Sequence, residues 1–368
     1  MRATGLLAIA LVVACTGPTV GPSATAATRT PDIQRSKLDV VYSAFVDLDV
    51  HKVPSKKALE GALDGVRDAA KKVGGRAEVK TPDFQDVQEP VLADFRKFAD
   101  AVAEIASKTP ELQPADIFRS AVTGMIRQSP DCHTYYFDGR ARVDSRPVQQ
   151  AGSRNVTPPE GQVLLQPDEA GLTERIMEGG VAWVRFTEFR INGTYDIRAK
   201  VKNALDMGLA AGAKAWLFDV RGNVGGNGPD VIASYFLNGE SVMKVDVRNG
   251  SAGTQSANRD LRLPEKYQLP IALIQNDAGG SGPEIFALYM KETKRGTIVG
   301  GKSIGCVGST APTTLSDGSQ IYITVEEYSG AITGTKYNNQ GVAPDVTASD
   351  AEAISTAAKL LRDKIAGR

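Results

Sequence analysis

The sequence predicts an α/β protein in which a helical N-terminal part precedes a core of alternating strands and helices. Two apolar runs bounded by turns, Ala215–Val220 and Ile271–Ile274, are typical of strands that are buried on both faces. Segments with apolar residues at helical spacing, such as Ile197–Leu209, lie between such runs. Because strands that alternate with helices usually form a mostly parallel sheet, we expect a layered α/β core.

The region 32–137 is predicted to be a helical domain, because its apolar residues repeat at helical spacing. The predicted helices cover Lys56–Val73, Phe95–Ile105 and Ile117–Arg127. Residues 138–179 are polar and rich in turn-forming residues, so we expect a linker there with short strands, for example at Val163–Leu165.

Residues 180–368 are predicted to form the core domain, in which strands and helices alternate. The predicted strands are Val181–Phe186, Ala215–Val220, Ile271–Ile274, Thr297–Val299 and Ile321–Glu327. The predicted helices are Ile197–Leu209, Pro229–Leu237, Pro283–Thr293 and Ala351–Ile365.

The N-terminus resembles a secretion signal. Arg2 precedes the apolar run Leu6–Ala14, which is too short to span a bilayer. The run ends at Cys15 in a sequence that resembles a bacterial lipobox, which implies removal of residues 1–14 and a lipid on the Cys15 thiol. Residues 15–31 are then a tether. We expect an extracytoplasmic protein that contacts the cell membrane only through this lipid anchor; the alternative is an ordinary signal peptide with an incidental cysteine.

Charge and residue counts exclude several classes of protein. The 43 Lys and Arg residues balance the 43 Asp and Glu residues, so no basic surface for nucleic acid is indicated. The two histidines and three cysteines lack the clustered spacing of a zinc site. We therefore expect no metal and no other cofactor.

A glycine-rich turn is the first candidate for chemistry. The stretch Gly279-Gly280-Ser281-Gly282-Pro283-Glu284 follows a predicted strand and begins a predicted helix. Negative charge that develops on Ser281 is favoured at the helix N-terminus, and the Gly282 N–H can point at an oxyanion. The alternative is a plain helix N-cap on a glycine turn.

The turn Asp219–Asn227 follows the other buried strand and is a candidate oxyanion hole. Three of its residues, Gly222, Gly225 and Gly226, are glycines, so its backbone N–H groups are open to a ligand. We expect Gly225 and Gly226 to supply oxyanion donors. A phosphate-binding loop and a plain tight turn are the alternatives, although the Walker A and dinucleotide-binding patterns are both missing.

A serine nucleophile needs a base, and the chain has two histidines for this role. His133 lies in a turn after the helical region and is the candidate, with a structural role as the alternative. His51 lies in a charged stretch before a helix and is predicted to be at the surface.

Short motifs follow one another along the chain between about residues 40 and 365. They are Asp131-x-His133-Thr134-x-Tyr136, Val184-Arg185-Phe186-x-x-Phe189, Asp219-x-Arg221-Gly222-Asn223-x-Gly225-Gly226, Ser281-x-x-Glu284-Ile285, Ile298-Val299-Gly300, Asp317-Gly318 and Gly341-Val342-x-Pro344-Asp345. In this order they resemble the S41 peptidases, the family of tail-specific and tricorn-type proteases. The resemblance implies a crotonase/ClpP-like catalytic core, an N-terminal helical domain, protein or peptide substrates and Ser281 as the nucleophile.

The sequence departs from the tail-specific members of that family. Cys306 stands where their catalytic lysine lies, and Lys302 is four residues away. The chain is therefore more similar to the tricorn-type branch, in which serine and histidine work with a glutamate. Asn338 stands where that glutamate is expected, so we predict a Ser281–His133 pair oriented by Asn338 or Asn339. The substitutes for this role are Glu326, Glu327 and Asp131, although Asp131 is close in sequence to His133, a geometry poorly suited to bonding its ring.

The resemblance also places Cys132 and Cys306 near Ser281. We hypothesise a disulfide between them that holds the His133 loop against the core, with two unpaired cysteines as the alternative. Residues 138–179 are too few for a complete PDZ domain, so the core groove is expected to bind substrate alone.

The function predicted from the sequence is that of an extracytoplasmic serine-type endopeptidase with a Ser–His mechanism. The alternatives are a catalytically inactive S41-like module that binds peptides or small ligands, and an esterase that uses the same pair.

Overall fold

The computed structural model of the chain describes residues 32–75, 78–146 and 152–368. Its helices are α1 (Arg35–Leu48), α2 (Ser55–Lys72), α3 (Leu92–Lys108), α4 (Pro114–Ile126), α5 (Ile197–Ala210), α6 (Pro229–Ser234), α7 (Gly282–Glu292) and α8 (Ala353–Ile365). Its strands are β1 (Tyr135–Phe137), β2 (Arg142–Asp144), β3 (Gln162–Leu165), β4 (Thr173–Met177), β5 (Val181–Arg185), β6 (Ala215–Asp219), β7 (Ser241–Val247), β8 (Gly250–Ser256), β9 (Ile271–Gln275), β10 (Gly296–Gly300), β11 (Gly308–Thr314), β12 (Gln320–Gly330) and β13 (Val346–Thr347). The predicted signal peptide and tether, with Cys15, lie outside the described residues. No helix in the described ranges is both long and apolar enough to cross a membrane.

A seven-stranded sheet forms the core, in the order β13-β10-β9-β6-β5-β4-β3. The strands from β13 to β5 run parallel, whereas β4 and β3 are antiparallel to their neighbours. The predicted α/β core with a mostly parallel sheet is thereby confirmed. Strands β3 and β4 come from residues 138–179, so the predicted linker adds two strands to this sheet.

Alternation along the strands divides the core into two layers. In β6, Trp216 and Phe218 pack in the layer that contains residues of α5 and α7, whereas Ala215 and Leu217 pack in the layer that contains residues of α8. Helices therefore cover both faces of the sheet, which is why β6 is buried along its whole length.

A second, antiparallel sheet was not expected from the sequence. Its order is β2-β1-β12-β7-β8, and β11 also pairs with β12. Apolar residues of this sheet, among them Tyr136, Ile321 and Ile323, pack in one core with the helices α1 to α4. The hairpin of β7 and β8 escaped prediction because β8 is an almost fully exposed, Gly- and Ser-rich strand without apolar alternation.

Candidate functional site

Two glycine-rich turns meet at the carboxyl edge of the parallel sheet. β6 leads into the turn Asp219–Asn227, and its neighbour β9 leads into the turn that carries Ser281. Because neighbouring parallel strands end at the same edge, the two turns lie side by side. The Gly280 N–H donates to the carbonyl oxygen of Asn223 at 3.2 Å. A Cβ atom at Gly225 would lie 2.8 Å from the Gly280 carbonyl oxygen, which leaves no room for a side chain there.

Buried charges hold the first turn in shape. Arg221, whose side chain is 2% exposed, donates from Nε and Nη2 to the two carboxylate oxygens of Asp219 at 3.0 and 2.7 Å. Arg185 donates to the carbonyl oxygen of Arg221 at 2.9 Å. Such two-point contacts between arginine and carboxylate restrict geometry strongly, so the turn is held in one conformation.

The predicted oxyanion donors differ in their availability. The Gly225 N–H donates to the side-chain oxygen of Asn223 at 2.9 Å, so the prediction for Gly225 is wrong: the turn itself uses this donor. The N–H groups of Gly226 and Gly282 have no acceptor among the described residues. Gly226 lines a cavity beside Ser281, and Gly282 opens α7, where N–H groups lack partners within the helix. These two N–H groups remain the predicted donors.

Ser281 has an unusual backbone conformation. Its φ of 68° and ψ of −109° place a residue with a side chain in a region that glycine normally occupies. The Ser281 N–H donates both to the Glu284 carboxylate at 3.0 Å and to the Cys306 carbonyl oxygen at 3.1 Å. These bonds stabilise a sharp strand-to-helix turn at the head of α7. A strained turn of this kind is a known way to present a serine nucleophile.

The Glu284 carboxylate connects this turn to a neighbouring loop. It is 1% exposed and, besides the Ser281 N–H, accepts bonds from Ser303 Oγ at 2.5 Å, the Gly305 N–H at 2.7 Å and the Cys306 N–H at 2.8 Å. Burial raises the pKa of Glu284, and the four donors oppose that rise. Glu284 is therefore the common anchor of the Ser281 turn and of residues 303–306.

His133 lies on the wall of the cavities that contain Ser281. Both residues line two adjoining cavities of about 480 and 510 Å³. The Nε2 atom of His133 is buried and has no hydrogen-bond partner among the described residues. The His133 N–H donates to Asp131 Oδ1 at 2.5 Å, and Nδ1 lies 3.6 Å from the same oxygen. Asp131 thus lies beside Nδ1 of the His133 ring. The Nε2 atom on the other side of the ring is available to accept a hydrogen bond from a hydroxyl group.

Asn338 does not take the orienting role that the sequence predicts. Its Nδ2 atom donates to Asp131 Oδ2 and to Glu327 Oε1, both at 2.8 Å. Asn339 is exposed and does not replace it. The prediction for Asn338 is therefore wrong, since its side chain supports Asp131 rather than His133. Asp131, one of the predicted substitutes, is the carboxylate beside the imidazole.

His51 is part-buried and its side chain is largely enclosed, so the prediction that it lies at the surface is also wrong. Its side chain is 10% exposed, with Nε2 3.2 Å from Asp131 Oδ2 and Nδ1 3.4 Å from Glu327 Oε1. Burial alone would lower the pKa of His51, but the bond to Asp131 and the charges of Asp49 and Glu327 raise it overall. Asp131 thus contacts two histidines, with one carboxylate oxygen toward each.

The electrostatics of Asp131 favour a permanent negative charge. Burial would raise its pKa, but bonds from His133, His51 and Asn338 hold that pKa far below its usual range. The ligand atoms of His51, Asp131 and Glu327 lie within 4.8 Å of one another, close enough to hold a metal ion. The contacts among these atoms satisfy them without a metal, so we interpret the group as an ion-pair cluster.

The raised pKa of His51 predicts a pH-dependent stability. A group whose pKa is higher in the folded state contributes stability below its unfolded pKa of about 6.5 and loses that contribution as the pH rises through the folded value. We expect the free energy of unfolding to fall from pH 6 to pH 9 in the wild type. Because the His51→Gln variant lacks the titrating group, its decline should be shallower. Urea unfolding across this range measures both slopes, and equal slopes would contradict the expectation.

Comparisons with known proteins find similarity to one family within the core. Residues 180–348 match the model of peptidase family S41. These matched residues, a little under half of the chain, are called the S41 segment below. Over 165 residues, this chain is 27% identical to the carboxy-terminal processing protease CtpA of Bacillus subtilis. The alignment covers 44% of this chain and 34% of that protein. Over 169 residues, the chain is 28% identical to a carboxyl-terminal-processing protease of Synechocystis. That alignment covers 45% of this chain and 38% of the Synechocystis protein. The chain thus spans about a third of the length of these curated relatives.

Among solved structures, a lipoprotein from Streptococcus agalactiae aligns with a TM-score of 0.49 at 15% identity, over 82% of this chain and 96% of that one.

Cys306 forms a disulfide with Cys132. Cys132 immediately precedes His133, and the Cys306 carbonyl oxygen accepts the Ser281 N–H at 3.1 Å. The disulfide therefore links the residue before His133 covalently to Cys306, the residue whose carbonyl oxygen binds the Ser281 N–H. Lys302 is exposed and lines neither cavity.

Proposed function

We propose that this chain is a serine-type endopeptidase in which Ser281 is the nucleophile and His133 the general base. The observation that carries the proposal is that Ser281, at the head of α7, lines the same cavity as His133, whose buried Nε2 is unpaired. The S41 segment and the carboxy-terminal processing proteases that resemble it support a peptide as the substrate.

The proposed reaction begins when Ser281 Oγ attacks the peptide carbonyl carbon and passes its proton to His133 Nε2. Asp131 accepts the Nδ1–H, which selects the tautomer with a basic Nε2 and stabilises the imidazolium. The 3.6 Å between Nδ1 and Asp131 is long, and such contacts commonly tighten when substrate binds. The Gly226 and Gly282 N–H groups stabilise the oxyanion. His133 then protonates the leaving amine, and water hydrolyses the acyl-enzyme.

Labelling with a fluorophosphonate probe tests this function. The wild type should carry the label on Ser281, because the probe reacts with serines that have an active base. Labelling should vanish in Ser281→Ala and should persist in Ser355→Ala, which changes an exposed serine on α8. A wild-type protein that takes no label would contradict the proposal and favour a peptide-binding module.

We further propose that the protein acts outside the cytoplasm, held at the membrane by a lipid on Cys15. The Cys132–Cys306 disulfide supports export, because structural disulfides persist mainly in oxidising compartments. Mass spectrometry of the N-terminal peptide from cell membranes should find a lipid-modified Cys15. An N-terminus that retains residues 1–14, recovered from the cytoplasm, would contradict this proposal.

A further inference from the structure

Three arginines line the cavity at Ser281. The arginines and carboxylates among the described lining of the 480 Å³ cavity are Arg142, Arg146, Arg154 and Asp144. Arg142 donates to Asp144 at 2.6 Å, so the one carboxylate of this lining is already paired with the first arginine. That pair leaves Arg146 as a further positive charge in the lining, close to Ser281.

Arg146 is the arginine whose hydrogen bonding is incomplete. Its Nε atom is shielded from solvent and has no hydrogen-bond partner among the described residues. A buried N–H of a charged group that lacks an acceptor is unfavourable, so an acceptor supplied by a ligand would be strongly preferred. A carboxylate is the best match, because its two oxygens fit the planar donors of a guanidinium.

The position of Arg146 is tied to the His133 loop. The preceding residue, Ser145, donates its N–H to the Thr134 carbonyl oxygen at 2.9 Å and its hydroxyl to the Asp131 carbonyl oxygen. A group bound by Arg146 is consequently held at a fixed position relative to His133, the proposed base. Such a position suits a substrate residue near the peptide bond that is cut.

The adjoining cavity has the opposite charge. This space of about 510 Å³ shares His133, Tyr135, Ser281 and Thr310 with the first, so the two form one groove across the site. Its described lining includes Asp230 and contains no lysine or arginine. A substrate carboxylate is therefore attracted to one end of the groove and repelled from the other.

We propose that Arg146, one of the three arginines that line this cavity, forms a subsite for a carboxylate of the peptide substrate. This inference rests on the proposed peptidase function and specifies which peptides the groove selects. Both an Asp or Glu side chain and the C-terminal carboxylate of a substrate carry this chemistry, and both place a planar anion beside Arg146. The subsite also sets the direction in which the peptide lies across Ser281.

Binding to the Ser281→Ala variant tests the subsite without requiring turnover. Fluorescein-labelled peptides of one sequence would be compared as Glu against Gln at each position, and as free C-terminal acid against C-terminal amide. We expect at least one acidic member to bind about 10- to 100-fold more tightly than its neutral partner, as one charge-assisted contact allows. A preference for Glu over Gln would identify a side-chain carboxylate as the bound group, and a preference for the free acid over the amide would identify the C-terminal carboxylate.

Two arginine variants in the Ser281→Ala background complete the test. Arg146→Gln should remove the preference for the acidic peptide, and Arg146→Lys should restore only part of it. Arg140→Gln is the matched control, since it removes an equal charge from an exposed residue of the same segment that does not line the cavity. Equal binding of acidic and neutral peptides, or an unchanged preference in Arg146→Gln, would overturn the subsite. Fluorophosphonate labelling of the wild type reports separately on the peptidase function.

Discussion

An Asp131→Asn variant should react with a fluorophosphonate about 10³- to 10⁴-fold more slowly than the wild type. Asp131 Oδ1 lies 3.6 Å from His133 Nδ1 and is the carboxylate that can accept its proton. An asparagine in this place can donate to Nδ1, which selects the wrong tautomer and removes the charge that stabilises the imidazolium. In serine proteases with a histidine–aspartate pair the same change lowers kcat by about 10⁴-fold. The measurement is the second-order rate constant of labelling.

The control for this experiment is Asp94→Asn. Asp94 is also fully buried, but it lies in the N-terminal helices, where it binds Lys97 and the Gln85 N–H. Its loss should change stability and leave the labelling rate near that of the wild type. Circular dichroism and the melting temperature establish that both variants are folded. A folded Asp131→Asn protein that labels at less than tenfold below the wild-type rate would remove Asp131 from the proposed mechanism.

A Glu284→Ala variant should lose both stability and reactivity. Removing the carboxylate leaves three buried donors without their acceptor, namely the hydroxyl of Ser303 and the N–H groups of Gly305 and Cys306. At about 1 kcal/mol or more for each orphaned donor, the free energy of unfolding should fall by about 3 kcal/mol. The strained Ser281 turn also loses one of the acceptors of its N–H, so the labelling rate of the folded fraction should fall as well.

Glu292, on the same helix, provides the matched control. It is 3% exposed and accepts bonds from the Ile332 and Thr333 N–H groups and from the hydroxyls of Thr333 and Tyr337. Glu292→Ala should lower stability by a similar amount and leave the labelling rate of folded protein unchanged, because it lies at the far end of α7. Urea unfolding and labelling at native conditions measure the two effects. Equal labelling rates in the two folded variants would show that Glu284 has only a structural role.

Local patterns in the sequence were sufficient for the main features of the core. The apolar run of β6 and the alternating strands and helices predicted the parallel sheet, because burial on both faces removes polar residues from a strand. The glycines around Ser281 predicted a turn at the head of a helix, and a turn depends on a few consecutive residues. The nucleophile could therefore be proposed from the sequence, and so could its cavity neighbour His133.

The surroundings of His133 were decided by tertiary structure. Asp131 contacts His51, 80 residues earlier in the chain, and Asn338, 207 residues later. No periodicity or short motif records such a contact, so the sequence alone predicts His51 at the surface and Asn338 beside the imidazole. Whether the Gly225 N–H is available as an oxyanion donor likewise depends on the orientation of the Asn223 side chain, which accepts this N–H.

The sequence by itself thus determined the parallel core, the two glycine turns and the serine at their meeting point, because each follows from burial or backbone conformation over a few neighbouring residues. Only the tertiary structure decided which carboxylate supports the base, which N–H groups stay free and which charges line the groove. Those properties depend on distances between side chains that lie far apart in the chain, and such distances exist only once the two sheets and the N-terminal helices have packed together.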